Sequence, residues 1–305
     1  MAYRLNASTI GERCKKTLDK FKHEIKIRHV FTSTIYLEAG KDMIIISRKN
    51  NRSPHTINIF QDTSINSFSF HFHVKVGDSV WVENFHMYIG DIEIELKNAE
   101  YYSQPRIDKI HSLDEILEKM YLRGLNMLLI LYSVSLSSMP IFRLNEFREF
   151  LENVVYPFSK RDVEVVRNAE NYRILLGVGE GFTPSGDDFL LGFLSILNLL
   201  DEKFQLPRIT LEDEFLLNYT NWVSAMFLKY AQRGYYDEDV YGLLKSISLR
   251  NEVDFTNSIL QLARRGHTSG LDVSLGVLTG LASIIDNIKC KNLTEKLVNH
   301  ILNIS

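Results

Sequence analysis

Two short segments of this sequence combine glycine, hydroxyl and carboxylate residues at a spacing that suits anion binding. The first, residues 177–188, reads GVGEGFTPSGDD, and the second, residues 266–272, reads GHTSGLD. Each precedes an apolar stretch, so each is predicted to be a loop that opens a buried helix. With an offset of 84 residues, the stretches that begin at Ser185 and Ser269 share seven of fourteen positions. The chain therefore carries two related loop-to-helix units.

The backbone at the start of a helix explains why such loops bind ligands. The first N–H groups of a helix have no intrahelical partner, and they carry the positive end of the helix dipole. Phosphate and carboxylate bind there readily. Glycine lets the loop approach a ligand closely, Thr or Ser caps the helix, and Pro184 suits the first helical position. The alternative is two well-capped buried helices without a ligand.

We hypothesise that the two helices pack as a pseudo-symmetric pair and direct their N-termini at one shared site. Gly192, Gly276 and Gly280 would allow close packing of the two backbones. Ser185 and Ser269 should then lie close together in the structure.

The two segments resemble the hallmark segments of the oxamate carbamoyltransferase AllH-subunit family. A third segment, Val223–Tyr236, lies between them as that family has it, and the resemblance covers roughly residues 140–285. It implies conversion of oxalurate and phosphate to oxamate and carbamoyl phosphate in the breakdown of allantoin, a part of purine catabolism. It also implies partner subunits, one of them similar to acyl-CoA synthetase chains.

The reaction that the resemblance implies suggests roles for residues in and near the two loops. His267, Asp188 and Asp272 are the candidate catalytic residues, because His titrates near neutral pH and carboxylates orient a substrate amide. Asp187 and Asp188 are the candidate Mg²⁺ ligands. The candidate substrate and anion ligands are Gly179, Gly181, Thr183, Ser185, Gly186, Gly266, Thr268, Ser269, Gly270, Lys229 and Arg265. The carboxylates could instead only stabilise helix starts, and the basic residues could be a helix end and a solvated face.

Two functions from different classes remain open from the sequence. The first is a carbamoyltransferase subunit that binds phosphate, carbamoyl phosphate or oxamate at the helix N-termini. The second is a non-catalytic subunit that binds a small anion or regulates a multi-subunit complex. Anion binding at the positive end of a helix dipole is compatible with both functions.

The elements that must position these loops form an α+β chain. The first third predicts a small antiparallel barrel or sandwich, with strands at Ser67–Val76, Ile92–Leu96, Met43–Ser47 and His55–Phe60. An amphipathic helix is predicted over Ser8–Ile25. The later residues predict a mainly helical region, and the expected domains are residues 1–110 and 111–305.

Helix signals fill the second region. A capping box at Ser112–Glu115 predicts a helix to about Leu122. Further helices are predicted over the following ranges: Leu144–Val155, Asp162–Leu176, Pro184–Leu200, Leu211–Gln232, Glu238–Ser248, Val253–Arg265, Ser269–Asp286 and Thr294–Asn303.

Composition narrows the classes of partner. The net charge of −3 gives no basic field for nucleic acid or an anionic membrane. Cys14 and Cys290 lie near opposite ends of the chain without metal-type spacing, and the N-terminal stretch lacks the apolar segment of a signal peptide. A cytoplasmic protein without nucleic-acid or membrane partners is therefore expected.

Overall fold

A computed structural model describes residues 3–21, 24–60, 68–134, 141–200, 202–206, 208–265 and 268–304. The chain divides into two compact units, Met1–Pro105 and Arg106–Ser305. Each unit has its own hydrophobic core. The described core residues of the first end at Leu96 and those of the second begin at Ile110. The predicted α+β class, with strands first and helices afterwards, is confirmed.

A mixed sheet forms the first unit. Its strands are β1 Tyr3–Gly11, β2 Ile25–Val30, β3 Thr34–Ala39, β4 Asp42–Ser47, β5 Thr56–Ile59, β6 Val80–Glu83, β7 His86–Ile89, β8 Ile92–Glu95 and β9 Glu100–Tyr102. The order is β2-β3-β4-β5-β1-β8-β7-β6, and β9 pairs with β1. Because β2 also contacts β6, the sheet is a nearly closed barrel. The prediction of purely antiparallel strands is wrong, since β1–β8, β1–β9 and β4–β5 are parallel.

Two predictions for the first unit are corrected. Residues 68–76 of the predicted strand Ser67–Val76 form a turn around a short 3₁₀ helix, Phe70–Phe72, because the N–H groups of His73 and Val74 donate to the Phe70 carbonyl. Ser67 lies outside the described residues. The predicted helix over Ser8–Ile25 is shorter, since β1 runs to Gly11 and helix α1 covers Glu12–Lys20.

Helices build the second unit. They are α2 Glu115–Val134, α3 Asn145–Phe150, α4 Tyr156–Ser159, α5 Glu164–Arg167, α6 Ser185–Asn198, α7 Asp213–Tyr219, α8 Trp222–Gln232, α9 Glu238–Leu249, α10 Glu252–Ala263, α11 Ser269–Lys289 and α12 Leu293–Ile304. A π-helical turn, Leu151–Val155, joins α3 to α4, and short 3₁₀ helices cover Ile141–Arg143, Ala169–Ile174 and Glu202–Phe204. The helix predicted over Asp162–Leu176 is therefore split.

Two helix boundaries differ from the prediction for local physical reasons. Asp114, not Ser112, caps α2, because its carboxylate accepts the N–H of Leu117 at 3.0 Å. Helix α2 then continues well past Leu122 to Val134, and Gly124 within it packs against the core residue Phe255. The predicted helix over Leu211–Gln232 breaks before α8, where the Asn221 side chain caps a new helix start.

Helices α6 and α11 lie side by side in the core of the second unit. A Cβ at Gly192 would lie 2.0 Å from the Val273 carbonyl oxygen, and one at Gly276 would lie 2.0 Å from that of Phe189. Farther along both helices, a Cβ at Gly280 would lie 2.4 Å from the Ile196 side chain. The contacts thus run from Phe189–Gly276 to Ile196–Gly280, so the pair is parallel and both N-termini are at one end. Helix α11 is long and apolar enough to cross a membrane, but 94% of its apolar window is buried within the protein. It is the central core helix.

Candidate functional site

The starts of α6 and α11 meet, as the repeated loops predicted. The Thr183 hydroxyl, just before α6, lies 3.2 Å from the Ser269 hydroxyl at the start of α11. It also donates to the Asp188 carboxylate at 3.0 Å. The hydroxyl of Ser269 interacts with Asp188 and that of Ser185 with Asp272, so each helix start contributes to the other's carboxyl group. The hypothesis of a pseudo-symmetric pair is confirmed.

Asp188 is a buried carboxyl group in the first turn of α6. Burial raises its pKa well above the usual value, and the nearby Asp272 carboxyl raises it further. The hydroxyls of Ser269 and Thr183 and the Arg265 guanidinium act in the opposite direction. The net rise means that Asp188 retains a proton at a pH where an exposed carboxyl group is ionised.

Asp272 is the equivalent carboxyl group in α11, and its side chain is fully buried. Tyr132 of α2 donates its hydroxyl to Oδ1 at 2.7 Å. Burial raises the pKa of Asp272 to about 6, while the hydroxyls of Tyr132, Ser185 and Thr268 lower it. Its second oxygen, Oδ2, completes no hydrogen bond with any described residue. The hydroxyls of Ser185 and Thr268 lie close enough to interact with this carboxyl group.

The glycines of the first loop fall into two groups. Gly177, Gly179 and Gly181 all have positive φ, between +75° and +107°, which L side chains rarely adopt. Gly179 also lies against the start of α6, where a Cβ would be 3.0 Å from the Ser185 nitrogen. The alternating glycines thus fold the loop back over the helix N-terminus.

Gly186 and Gly270 are closely packed, and their role in ligand binding stays a prediction. A Cβ at Gly186 would lie 2.1 Å from the Leu175 carbonyl oxygen, and one at Gly270 would lie 1.8 Å from that of Leu262. The Gly186 N–H already donates to the Val178 carbonyl at 2.9 Å. Pro184 occupies the cap position, so α6 begins at Ser185, one residue later than predicted.

Asp187 anchors the loop. Its carboxylate accepts the Gly177 N–H at 2.9 Å and the Thr220 hydroxyl, and it interacts with Ser224 at the start of α8. Asp188 faces Thr183 and Ser269 instead, so this donor set does not fit a Mg²⁺ ion shared by the two carboxylates. No group of three or more His, Cys, Asp or Glu that could hold a metal occurs in the described part of the chain.

The basic residues form specific ion pairs. Arg265, after α10, pairs with Asp237, the residue that caps α9. Its guanidinium also interacts with Asp188, so it belongs to the edge of the site. Lys229 is nearly buried and pairs with Asp213 of α7 at 2.8 Å. Both residues are thus anchored by carboxylates, and anion binding by them stays a prediction.

Gly266 and His267 lie outside the described residues. Their predicted roles therefore stay predictions. Sequence reasoning missed Tyr132, which is 140 residues from Asp272 in the chain, and no local pattern marks it. It also missed Thr220, the hydroxyl that fixes Asp187. Asp237 directly precedes the helix predicted over Glu238–Ser248, and its capping role agrees with that predicted start.

This geometry defines a class of site: two parallel helix N-termini in one helical unit, faced by two buried carboxyl groups and flanked by hydroxyls. Burial and the proximity of the two carboxyl groups favour retention of a proton at Asp188. The helix starts and hydroxyls present hydrogen-bond donors beside the carboxyl acceptors. Such a site can hold a small polar ligand and exchange a proton with it.

The comparison with known families agrees with the two loops. The model of the family described as oxamate carbamoyltransferase subunit AllH matches residues 175–281, about a third of the chain. That range contains both loops, α6 and most of α11. The resemblance predicted from the sequence is confirmed over this range. A family described as a subunit implies partner chains in a complex. No solved structure shows significant similarity to the chain.

Proposed function

We propose that this chain is a subunit of a carbamoyltransferase that converts oxalurate and phosphate to oxamate and carbamoyl phosphate. The observation that carries the proposal is the meeting of the α6 and α11 starts around Asp188 and Asp272. The family match over both loops supports it.

The reaction needs a stabilised oxyanion and a proton donor. A phosphate oxygen attacks the ureido carbonyl carbon of oxalurate, and the bond from that carbon to the oxamate nitrogen breaks. Helix N-termini and hydroxyl groups supply donors for the charge that develops on the carbonyl oxygen. The departing nitrogen takes up one proton. Thr183, Ser185, Thr268 and Ser269 provide the hydroxyls.

The two carboxyl groups suit opposite roles in proton transfer. Pairs of titratable groups in different environments commonly divide into an acid and a base. Asp188, whose pKa burial raises well above its usual value, is proposed to hold the proton that the departing nitrogen receives. Asp272, with a pKa of about 6, is proposed as the ionised acceptor above that pH. No step of this proposal passes through a metal ion.

Partner subunits, including one similar to acyl-CoA synthetase chains, are proposed to complete the enzyme in the cytoplasm. The implied pathway is allantoin breakdown. Binding of a small anion at this chain, with catalysis by a partner, is the alternative function within the same complex.

A ligand-dependent thermal shift tests the proposal. Oxamate, carbamoyl phosphate, oxalurate and phosphate are each added to the full chain. A ligand at 100 times its Kd stabilises a protein by about 2.7 kcal/mol. Asp188→Asn and Thr183→Ala should abolish the shift with little loss of stability.

Helix α10 offers matched controls. Asp254→Asn changes an exposed acidic residue in its first turn, and Thr256→Ala removes a hydroxyl that donates to the Glu252 carbonyl at 2.9 Å. Both should retain the full shift. Absence of any shift in the wild-type chain, or full binding by both site variants, would contradict the proposal. Binding without turnover in the assembled complex would favour the non-catalytic alternative.

A further inference from the structure

Tyr132 and Asp272 form an asymmetric pair in the interior of the second unit. Tyr132 is 5% exposed and Asp272 is fully buried. The Tyr132 hydroxyl donates a hydrogen bond to Oδ1 of the Asp272 carboxyl group at 2.7 Å. The other oxygen, Oδ2, has no hydrogen-bond partner among the described residues. A buried polar atom without a partner is costly and therefore rare in native proteins. A bound ligand that donates a hydrogen bond would remove this cost.

The groups around Asp272 indicate which kind of hydrogen-bond donor a ligand would present to Oδ2. The hydroxyls of Ser185 and Thr268 and the carboxyl group of Asp188 interact with the Asp272 carboxyl group. Arg265, the nearby cation, is already paired with Asp237. The ionised carboxylate of Asp272 disfavours the anionic part of a ligand at Oδ2 but accepts N–H groups. A ligand portion with an amide or ureido N–H matches this side of the site.

We propose that Tyr132 is a positioning residue that fixes the Asp272 carboxyl group, so that Oδ2 accepts an N–H of a primary amide or ureido ligand. This inference rests on the proposed function and specifies which part of the substrate the α11 start recognises. The anionic part of the ligand then lies toward the hydroxyls at the helix starts.

Tyr121 provides a matched control on the same helix. It is also buried, and its hydroxyl donates to the Leu293 carbonyl at 3.3 Å. Tyr121→Phe and Tyr132→Phe each remove one buried hydroxyl from α2. Only Tyr132→Phe alters the group that holds Asp272, so a difference between the variants in ligand recognition cannot come from general loss of packing.

Calorimetric titration of the full chain with oxamate and pyruvate tests the inference. Both acids carry a 2-oxo carboxylate group, but pyruvate has a methyl group where oxamate has its NH₂. The wild-type chain should bind oxamate at least tenfold more tightly. Asp272→Ala should abolish this preference, Tyr132→Phe should lower it severalfold, and Tyr121→Phe should retain it. The pH below which oxamate binding weakens should move upward in Tyr132→Phe, because its hydrogen bond lowers the pKa of Asp272.

The possible failures are distinguishable. If the wild-type chain binds neither acid, the proposed function fails and this inference fails with it. If the chain binds oxamate but Tyr132→Phe keeps both the preference and the pH profile, Tyr132 is a packing residue and only this inference is overturned. Equal binding of oxamate and pyruvate by the wild-type chain would mean that Oδ2 does not recognise an N–H group.

Discussion

Asp272 shows how one side chain links the stability of this protein to pH. Burial of the carboxyl group raises its pKa from 3.8 to about 6. The folded chain therefore binds this proton more tightly than the unfolded chain does. The stabilisation that this bound proton contributes to the folded chain is complete below about pH 4 and is lost as the pH rises through about 6. This buried carboxyl group thus reduces the stability of the fold at neutral pH.

Asp272→Asn should stabilise the chain at neutral pH, because it removes the buried charge while Tyr132 retains an acceptor. The free energy of unfolding should increase by about 3 kcal/mol at pH 7.5, and the increase should approach zero near pH 4. Urea unfolding of both proteins at the two pH values measures the difference. Asp254→Asn, at an exposed position, should show no comparable pH dependence; an equal gain there would refute the assignment to burial.

Replacement of Gly179 can distinguish two effects of an added side chain: backbone strain at positive φ, and contact of the new Cβ with the start of α6. Gly179 and Gly77 have similar φ values, +105° and +99°. A Cβ at Gly179 would press on Ser185, whereas one at Gly77 meets nothing within 4 Å. Both alanine variants should lose about 1–2 kcal/mol of stability through backbone strain. Only Gly179→Ala should also weaken oxamate binding, as calorimetry would show; equal binding by both variants would separate the loop from the site.

At the scale of elements, the packing of α6 against α11 positions the site. The two helices run parallel, so their positive dipole ends lie together instead of being offset by antiparallel packing. Asp188 and Asp272 lie in the first turns, where negative charge is favourable. Close approach of the backbones, at Gly192 and Gly276, holds the two helix starts within hydrogen-bond distance.

Gly192→Ala and Gly276→Ala should each destabilise the chain by about 3 kcal/mol, because the added methyl group meets a backbone carbonyl oxygen at 2.0 Å. Separation of the helices should also weaken ligand binding in protein that remains folded. Thermal unfolding and calorimetry measure the two effects. Gly242→Ala in α9 is the control, since its Cβ meets only the Ser258 hydroxyl at 3.3 Å. A similar loss at Gly242 would exclude helix contact as the cause.

At the scale of the whole molecule, the two units have separate cores. All described site residues, and the range of the family match, lie within Arg106–Ser305.

Residues 106–305 should fold without the barrel unit, because their core cluster contains no described residue before Ile110. We expect cooperative unfolding by circular dichroism, and oxamate affinity within a few-fold of that of the full chain. A fragment that unfolds without cooperativity would show that the barrel unit is required for stability. A folded fragment that fails to bind oxamate would place part of the site in the barrel unit.

The sequence by itself determined the features that depend on neighbouring residues. The Gly177–Asp188 loop, the start of α11 at Ser269 and the change from strands to helices are all local in origin. Glycine at positive φ and an apolar helix behind a hydroxyl-rich start can be identified from sequence because a few adjacent residues decide them. The repeat at an offset of 84 residues also predicted the pairing of α6 with α11, since matched helices commonly pack as equivalents.

Only the tertiary structure decided the contacts between distant residues. Tyr132 reaches Asp272 across 140 positions, and Thr220 reaches Asp187 across 33. The alternation in residues 68–76 predicted a strand, but local hydrogen bonds to Phe70 leave Phe72 exposed instead. The pattern of residue types along the sequence indicates which face of a helix or strand is apolar. The partner of a buried polar group depends instead on which distant helix packs against it. That packing, not the motif, leaves one oxygen of Asp272 for a ligand.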